Sequence, residues 1–415
     1  MFINKNLIRI NIIKHINKLM QVSKSLITIL ILNFFVLLLA CFFAIEFGYG
    51  IESEPLLTVF INIIENGEYN SSRYYGHPVS EILIGFFGYI FGGKVTNFIC
   101  FCLYNISLYL FYLTFDPSTK NKNTLVLFLI LCFSNSLIFL QSSEVSDFPV
   151  ALFFLSLGFF LFSKKQKELS IIVFSLCIAS RAHFFLYIFG FILFYSYLNK
   201  SSLKENIKYI VLLFFVSSLF FLPVFYESKL SLSIFSNVGG PDLILSQLLP
   251  RFTYKIYKMI GVFSSIIIFI YIVIKLKTFF ISIKKEKYLT LIIVLNLITF
   301  FLMPTKYAIL QPALISFYLI ISKYFNKKII FLIIILNIFE WFFSYQILEI
   351  KYKYADICFG KGTNAIGATI NFSIDKGNLS KHYEKLSIKE CWGIEYYKSL
   401  ERHKNYINDL KLKKF

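Results

Sequence analysis

Long, uninterrupted apolar runs alternate with short polar loops along the chain. The runs are uniformly rich in Ile, Leu and Phe and do not alternate residue by residue, which favours helices and excludes the strands of a barrel. Runs near or within spanning length cover residues 25–47, 95–115, 124–140, 148–163, 207–226, 259–281, 288–303, 307–322 and 329–348. The stretch 169–198 predicts two short spans that meet at Arg181. The pattern therefore predicts an all-α polytopic membrane protein with about 11 transmembrane helices.

Lysine-rich patches fall at every second loop of this arrangement. They are STKNKN, SKKQKE, NKSSLKENIK, KKEK and KYFNKK, and the N-terminal segment is also basic. All six lie on the cytoplasmic side at once if the spans number about 11, as the positive-inside rule requires. The pattern predicts a basic cytoplasmic N-terminus at 1–24, a transmembrane domain at 25–348 with its first extracytoplasmic loop at 48–94, and a small extracytoplasmic tail at 349–415.

Composition supports the membrane interpretation. The 415 residues are 57% hydrophobic and carry a formal net charge of +19. The excess of Lys follows from the cytoplasmic loops, so we expect membrane lipids as partners and no nucleic acid. The Phe, Ile, Asn and Lys bias is that of an AT-rich genome, which favours a bacterial inner membrane.

The tail differs in character from the rest of the chain. Its segment GKGTNAIGATINFSIDKGN has the Gly, Asn and Ser spacing of turns between short strands, which predicts a small α/β unit. Cys358 and Cys391 both lie in the tail. An outside location permits a disulfide between them, and the sequence leaves open whether they pair.

The first outside loop has a helical pattern of its own. In PLLTVFINIIENG, the apolar residues Leu57, Phe60, Ile61 and Ile64 recur at the spacing of one helix face. Pro in its first turn and Gly just beyond its end are typical helix boundaries. We expect this helix to lie flat in the interface. The next apolar stretch, 79–91, is too short to span and predicts an interfacial or re-entrant helix.

Most of the unusual polar residues fall on the extracytoplasmic side. Each has a local structural explanation: interfacial Tyr residues form aromatic belts, Asp147 is a helix N-cap, Lys306 snorkels to water, and His183 is a satisfied core histidine. Arg181 needs an anion or carbonyl partner, because it lies between two apolar half-spans. Local explanations do not account for the fact that so many such residues gather on the extracytoplasmic side. The residues are Glu52, Glu54, Arg73, Tyr74, Tyr75, His77, Glu144, Asp147, Arg181, His183, Lys306 and Tyr307.

The order of these segments resembles that of the GT-C superfamily of integral-membrane glycosyltransferases, of the dolichyl-phosphate-mannose and aminoarabinose transferase type. An acidic motif, IESEP, follows the first span, and an amphipathic segment ending in NGEYN leads to GHP. The segments EVSDFPVALFFLSLGFFLF, SLCIASRAHFFLYIFGFILF and MPTKYAILQPALISFYLI look like the later acidic loop, the Arg-containing helix pair and the basic-Tyr-Pro turn of that superfamily. The resemblance covers most of residues 25–350.

The resemblance implies a reaction and roles. The expected reaction moves a sugar from a polyprenyl-phosphate donor to the hydroxyl of a lipid- or glycan-linked acceptor at the extracytoplasmic face. Glu54 or Glu52 is the implied general base, although Asp is usual there. The implied donor-phosphate residues are Arg181, Lys306, His77 and Tyr307. Glu144, Asp147, Arg73 and Tyr75 are expected to position the acceptor or a divalent metal, and the sequence leaves the need for a metal open.

Three other functions fit parts of the pattern. A polysaccharide or O-antigen polymerase or ligase also works on lipid diphosphates with Arg and His, but its catalytic residues typically lie in a large late loop. A transporter of lipid-linked oligosaccharides predicts internal repeats and charges near the bilayer midplane. An assembly subunit without chemistry tolerates loss of the acidic and basic residues. The charges at one interface favour the glycosyltransferase; sugar, acceptor and polyprenol stay open.

Overall fold

A computed structural model describes residues 53–72, 76–116, 122–143, 145–199, 203–227, 252–253, 256, 259–302, 307–346 and 371–374. Most of these residues are helical, which confirms the prediction of an all-α fold class. The helices are α1 (Ser53–Asn66), α2 (Pro78–Phe115), α3 (Lys122–Ser134), α4 (Ser136–Ser143), α5 (Asp147–Ser163), α6 (Lys167–Ser180), α7 (Phe184–Leu198), α8 (Leu203–Phe220), α9 (Leu222–Glu227), α10 (Val262–Ile274), α11 (Leu276–Lys285), α12 (Lys287–Leu302), α13 (Gln311–Tyr324) and α14 (Lys327–Phe342).

The predicted amphipathic helix of the first outside loop is present as α1. It ends at Gly67, whose φ of +68° is the left-handed conformation that closes many helices. The buried face includes Leu56, Val59, Phe60 and Ile61, and Ile64 is 53% exposed. Phe60 and Ile61 of the predicted apolar stripe are thus buried, and α1 packs against α2.

Helices α1 and α2 approach each other closely at a glycine. A Cβ atom on Gly85 would lie 2.2 Å from the Cβ of Phe60 and 3.1 Å from the carbonyl oxygen of Leu56. The Phe60 ring also lies edge-on to Phe86, with centroids 5.9 Å apart. A larger residue at position 85 would separate the two helices.

Helix α2 consists of two arms joined at Gly92, which has non-helical φ and ψ of 74° and 178°. The arms are Pro78–Gly93 and Val95–Phe115, close to the predicted boundary between the short segment and the next span. A left-handed φ of this kind suits glycine, which has no Cβ to clash with the backbone. The bend therefore lies at the residue best able to adopt it.

The described residues contain one helix, Val95–Phe115, that is long and apolar enough by itself to cross a membrane. The pair α10 and α11 meets the same length and composition criteria when taken together, but the two helices are bent by 96°. Five other apolar helices are shorter: Pro78–Gly93, Thr124–Ser134, Asp147–Ser163, Phe184–Leu198 and Lys287–Phe301.

The apolar core lies where α2, α5 and α6 meet, with α7, α12 and α13 around it. Phe159 of α5 contacts Phe174 and Phe191, with ring centroids 5.4 and 4.5 Å apart. A Cβ on Gly158 would lie 2.4 Å from the Phe174 ring, so α5 and α6 are also in close contact. This packing fixes the adjacent ends of α5 and α6, where the candidate site lies.

Two short strands follow the last described helix. Strand β1 (Phe343–Gln346) pairs antiparallel with β2 (Asn371–Ile374), so that Phe343 faces Ile374 in register. The predicted span 329–348 is shorter in the structure, because α14 ends at Phe342. Strand β2 lies in the tail segment whose turn pattern predicts strands.

Candidate functional site

A buried ion pair joins the start of α5 to the end of α6. Arg181 donates from Nε to Asp147 Oδ2 and from Nη2 to Asp147 Oδ1, both at 2.9 Å. Asp147 is fully buried and Arg181 is 5% exposed. Two parallel bonds of this kind fix the guanidinium plane against the carboxylate. This pairing confirms the prediction that Arg181 requires an anion or carbonyl partner.

The break between α6 and α7 places Arg181 where it can reach Asp147. Arg181 has the extended backbone angles φ −158° and ψ 108°, and its amide N–H bonds to the Cys177 carbonyl to close α6. Its Cζ atom lies 3.5 Å from the ring centroid of Phe148. A guanidinium over an aromatic face gains a cation–π attraction. The same two residues of α5, Asp147 and Phe148, therefore hold Arg181 by charge and by ring contact.

His77 joins this pair from a third segment, the start of α2. Its Nε2 lies 3.5 Å from Asp147 Oδ2, and its side chain is 2% exposed. Ser80, one turn later, donates a hydrogen bond between the segments: its Oγ is 3.1 Å from the His77 carbonyl oxygen and 3.2 Å from that of Ser180. The start of α2 and the end of α6 are thereby tied together beside the ion pair.

His183 lies beside the pair in the turn before α7. Burial, followed by the neighbouring Arg181 guanidinium, lowers the pKa of His183 to about 3, against a smaller opposing effect of the Asp147 carboxylate. Its ring stacks on Phe184, with centroids 4.6 Å apart. His183 is therefore neutral near pH 7 and adds no positive charge to the cluster. Its Nε2 has no hydrogen-bond partner among the described residues.

The start of α1 shares an apolar cluster with residues around Asp147. Leu56 belongs to one buried cluster with Ile84, Val145 and Val150, and the last two flank Asp147 in sequence. Glu54 is in the first turn of α1, two residues before Leu56. Tyr307 opens the 3-10 helix Tyr307–Leu310, which leads into α13.

A carboxylate that the sequence interpretation missed organises the approach to this site. Glu81 is fully buried in the first turn of α2. It accepts hydrogen bonds from the hydroxyl groups of Tyr69 and Ser72, and from the Ser72 amide at 3.0 Å. Burial, and then the neighbouring Glu81 carboxylate, raise the pKa of Tyr69, so its phenol stays protonated and donates. The available signal was a Glu at the start of an apolar run.

The loop formed by residues 67–72, which contains Tyr69 and Ser72, also contacts α9. The Ser71 amide lies 3.0 Å from both carboxylate oxygens of Glu227, at the end of α9. Gly76 has a φ of +53°, and a Cβ there would lie 2.6 Å from a Val224 methyl carbon and 2.9 Å from the Tyr69 hydroxyl. Only a glycine fits this turn without strain. Loop 67–72, which leads to the predicted residues 73–75, is thus held between α2 and α9.

The predicted site residues divide into three groups. Asp147, Arg181 and His77 are brought together. Glu54 and Tyr307 lie in described elements near helix starts. The remaining predictions fall outside the described residues: Glu52, Arg73, Tyr75, Glu144 and Lys306.

One local explanation for Asp147 was wrong. Asp147 does not N-cap α5: the cap position is Ser146, which makes no capping hydrogen bond through its side chain. The Asp147 carboxylate is directed instead to Arg181, which the chain brings back to it at the end of α6.

The cluster can hold and orient a polar group at the end of the helix bundle, but its described charges nearly cancel. Asp147 balances Arg181, and His183 is neutral. Among the described residues, no group of three or more His, Cys, Asp or Glu side chains could hold a metal ion. Comparisons of the chain with protein-family models, with curated protein sequences and with solved structures found no match.

Proposed function

We propose that this protein is a membrane glycosyltransferase that moves a sugar from a polyprenyl-phosphate donor to an acceptor hydroxyl. One observation carries the proposal: His77, Asp147 and Arg181, which are far apart in sequence, meet in one buried cluster. Leu56, two residues after Glu54, belongs to the same buried apolar cluster as Val145 and Val150, which flank Asp147 in sequence. We therefore propose that the candidate base reaches the candidate phosphate-binding region.

In the proposed reaction, Glu54 or Glu52 takes the proton of the acceptor hydroxyl while its oxygen attacks the anomeric carbon. The bond from that carbon to the phosphate oxygen breaks, and the polyprenyl phosphate leaves with the electron pair. Because Asp147 already balances Arg181, we assign the largest share of the charge stabilisation to Lys306. Arg181, His77 and Tyr307 then orient the phosphate.

The remaining predicted residues complete the proposal. Arg73 and Tyr75 follow loop 67–72 directly and are assigned to the acceptor, with Glu144 and Asp147 positioning the acceptor or a divalent metal. For Asp147 the role is indirect, since both of its oxygens bond to Arg181. A lipid-linked donor reaches such a cluster sideways from the bilayer, which accounts for a polar site at the end of apolar helices.

We also propose that the chain crosses the bacterial inner membrane about 11 times, with the N-terminus cytoplasmic and the site and C-terminus extracytoplasmic. Large apolar side chains on the outer helices support this: Phe214, Phe269 and Ile335 are 63%, 68% and 61% exposed. Such faces are costly in water and are expected against lipid. In this proposal, a helix that is shorter than the bilayer thickness spans the membrane together with the turns that adjoin it.

The proposal is tested by sugar transfer from a radiolabelled polyprenyl-phosphate donor pool in membranes. We expect Glu54→Gln or Glu52→Gln to abolish transfer, since an amide cannot accept the proton, and Arg181→Ala to reduce it by about 100-fold or more. The matched control is Glu65→Gln, because Glu65 is an exposed carboxylate on α1. Normal transfer by all three variants, at matched levels of folded protein, would contradict the proposal.

A further inference from the structure

Helix α11 turns away from the direction of α10. The two helices are separated by Lys275 and bent by 96°. Sequence alone predicts a single span over 259–281, but this angle makes a straight crossing impossible. If α10 crosses a bilayer, α11 runs nearly parallel to the membrane plane.

The surface of α11 is divided along its length. Leu276 and Phe280, one turn apart, are 49% and 55% exposed. Ser282 is buried toward the rest of the protein. The exposed lysines Lys277 and Lys284 are seven residues apart and share another side of the helix. An apolar strip thus lies between the protein contact and a row of basic side chains.

Helix α11 lies at the opposite end of the bundle from the Asp147–Arg181 pair. Glu286, which follows it, accepts hydrogen bonds from Lys323 Nζ at 3.2 Å and Tyr324 Oη at 2.9 Å. Lys323 Nζ also donates to the carbonyl oxygen of Phe115 at 2.9 Å. Phe115 ends the helix that begins next to His77. In the proposed orientation, α11 therefore lies at the cytoplasmic leaflet.

We propose that α11 is an interfacial helix that binds the anionic lipid headgroups of the cytoplasmic leaflet. Leu276 and Phe280 enter the boundary of the acyl chains, and Lys277, Lys284 and Lys285 extend to phosphate oxygens. A basic row beside an apolar strip is complementary to a negative lipid surface, and lysine stems are long enough to reach it. The inference rests on the proposed membrane orientation but not on glycosyl transfer.

The test uses the full chain purified in a neutral detergent. We would measure the thermal unfolding midpoint with phosphatidylglycerol and with an equal amount of phosphatidylcholine. We expect phosphatidylglycerol to raise the midpoint further, and Lys277→Gln/Lys284→Gln/Lys285→Gln to remove most of that difference. The control, Lys164→Gln/Lys204→Gln/Lys208→Gln, removes the same charge from exposed lysines at the same end and is expected to keep the difference.

Three outcomes would overturn the inference. They are an unchanged difference in the α11 variant, an equal loss in both variants, and an equal rise with water-soluble glycerol phosphate. The last would assign the lysines to a free phosphate and not to a lipid surface. A chain without transferase activity can still bind lipid in this way. The lipid-binding test can therefore be interpreted even if the proposed glycosyl transfer is not found.

Discussion

Arg181 and Asp147 form the only described ion pair between Arg or Lys and a carboxylate in which both side chains are almost entirely buried. Burying two charges costs desolvation energy, and the two short hydrogen bonds offset that cost only while both partners are present. Loss of one partner removes both hydrogen bonds and leaves the other charge buried in an apolar setting. The energetic consequence of a substitution therefore depends on whether the other partner remains.

We expect Asp147→Leu and Arg181→Leu, made singly, each to lower the free energy of unfolding by about 3–5 kcal/mol. The double variant should be markedly more stable than the additive sum, because neither charge remains unpaired. Unfolding in mixed detergent micelles measures all three. Additive losses in the double variant would argue against the coupling.

The exposed pair Lys167–Glu205 provides the control for this cycle. Its Nζ–Oε2 distance is 3.2 Å, but the side chains are 53% and 64% exposed. Removing either partner should cost less than about 1 kcal/mol. The double variant at Asp147 and Arg181 also separates folding from chemistry, since a folded but inactive protein would assign the Asp147–Arg181 pair a role in transfer.

The sequence was informative about Arg181 and misleading about Asp147, for one physical reason. An Arg between two apolar segments requires a polar partner in any fold, so the local sequence is enough to predict that Arg181 has one. The partner's identity is not local, because it depends on α6 returning the chain to the start of α5. An Asp before Phe-Pro looks like an N-cap as long as that return is unknown.

At the scale of elements, loop 67–72 is held by three hydrogen bonds to one carboxylate of α2. We expect Glu81→Gln to replace an acceptor oxygen by a donor, so that one hydrogen bond from Tyr69 or Ser72 is lost and a donor is left unpaired. Amide hydrogen exchange in residues 67–77 should then accelerate, while exchange in 95–115 should stay unchanged. The proposed transfer should fall as well, because this loop leads directly to Arg73 and Tyr75.

Glu65→Gln on α1 is the control for this variant, because the Glu65 side chain is exposed. It should leave exchange in the loop unaltered. Faster exchange throughout the molecule in Glu81→Gln would mean that Glu81 supports the whole fold and does not act on the loop in particular.

The boundaries that the sequence predicted best are those set by backbone chemistry. Gly67 ends α1, Gly92 bends α2, and Arg181 separates α6 from α7, as apolar run lengths and helix-ending residues indicate. The bend at Lys275 was missed, because the apolar run continues through it and neither Gly nor Pro marks it. The hydrogen bonds from loop 67–72 to Glu81 were missed because they join two segments, and a sequence pattern does not show which segments contact each other.

At the scale of the whole molecule, two charged clusters lie at opposite ends of the bundle. One end holds His77, Asp147 and Arg181, and the other holds α11 and the Glu286–Lys323 contact. The apolar faces between them favour a bilayer around the middle. In the proposed orientation, the lysine-rich end faces the cytoplasm, as the positive-inside rule requires.

This orientation can be tested by cysteine labelling in intact cells. Glu68 is exposed in the loop that leads to the site, and Lys277 is exposed on α11 at the other end. A membrane-impermeant maleimide should label Glu68→Cys in intact cells but Lys277→Cys only after lysis, with the unsubstituted chain as the background. Labelling of both positions from outside would place both ends on one side of the membrane and remove the lipid-facing middle. The reverse pattern would keep the bilayer but put the candidate site in the cytoplasm, where the proposed donor would have to be presented from the opposite leaflet.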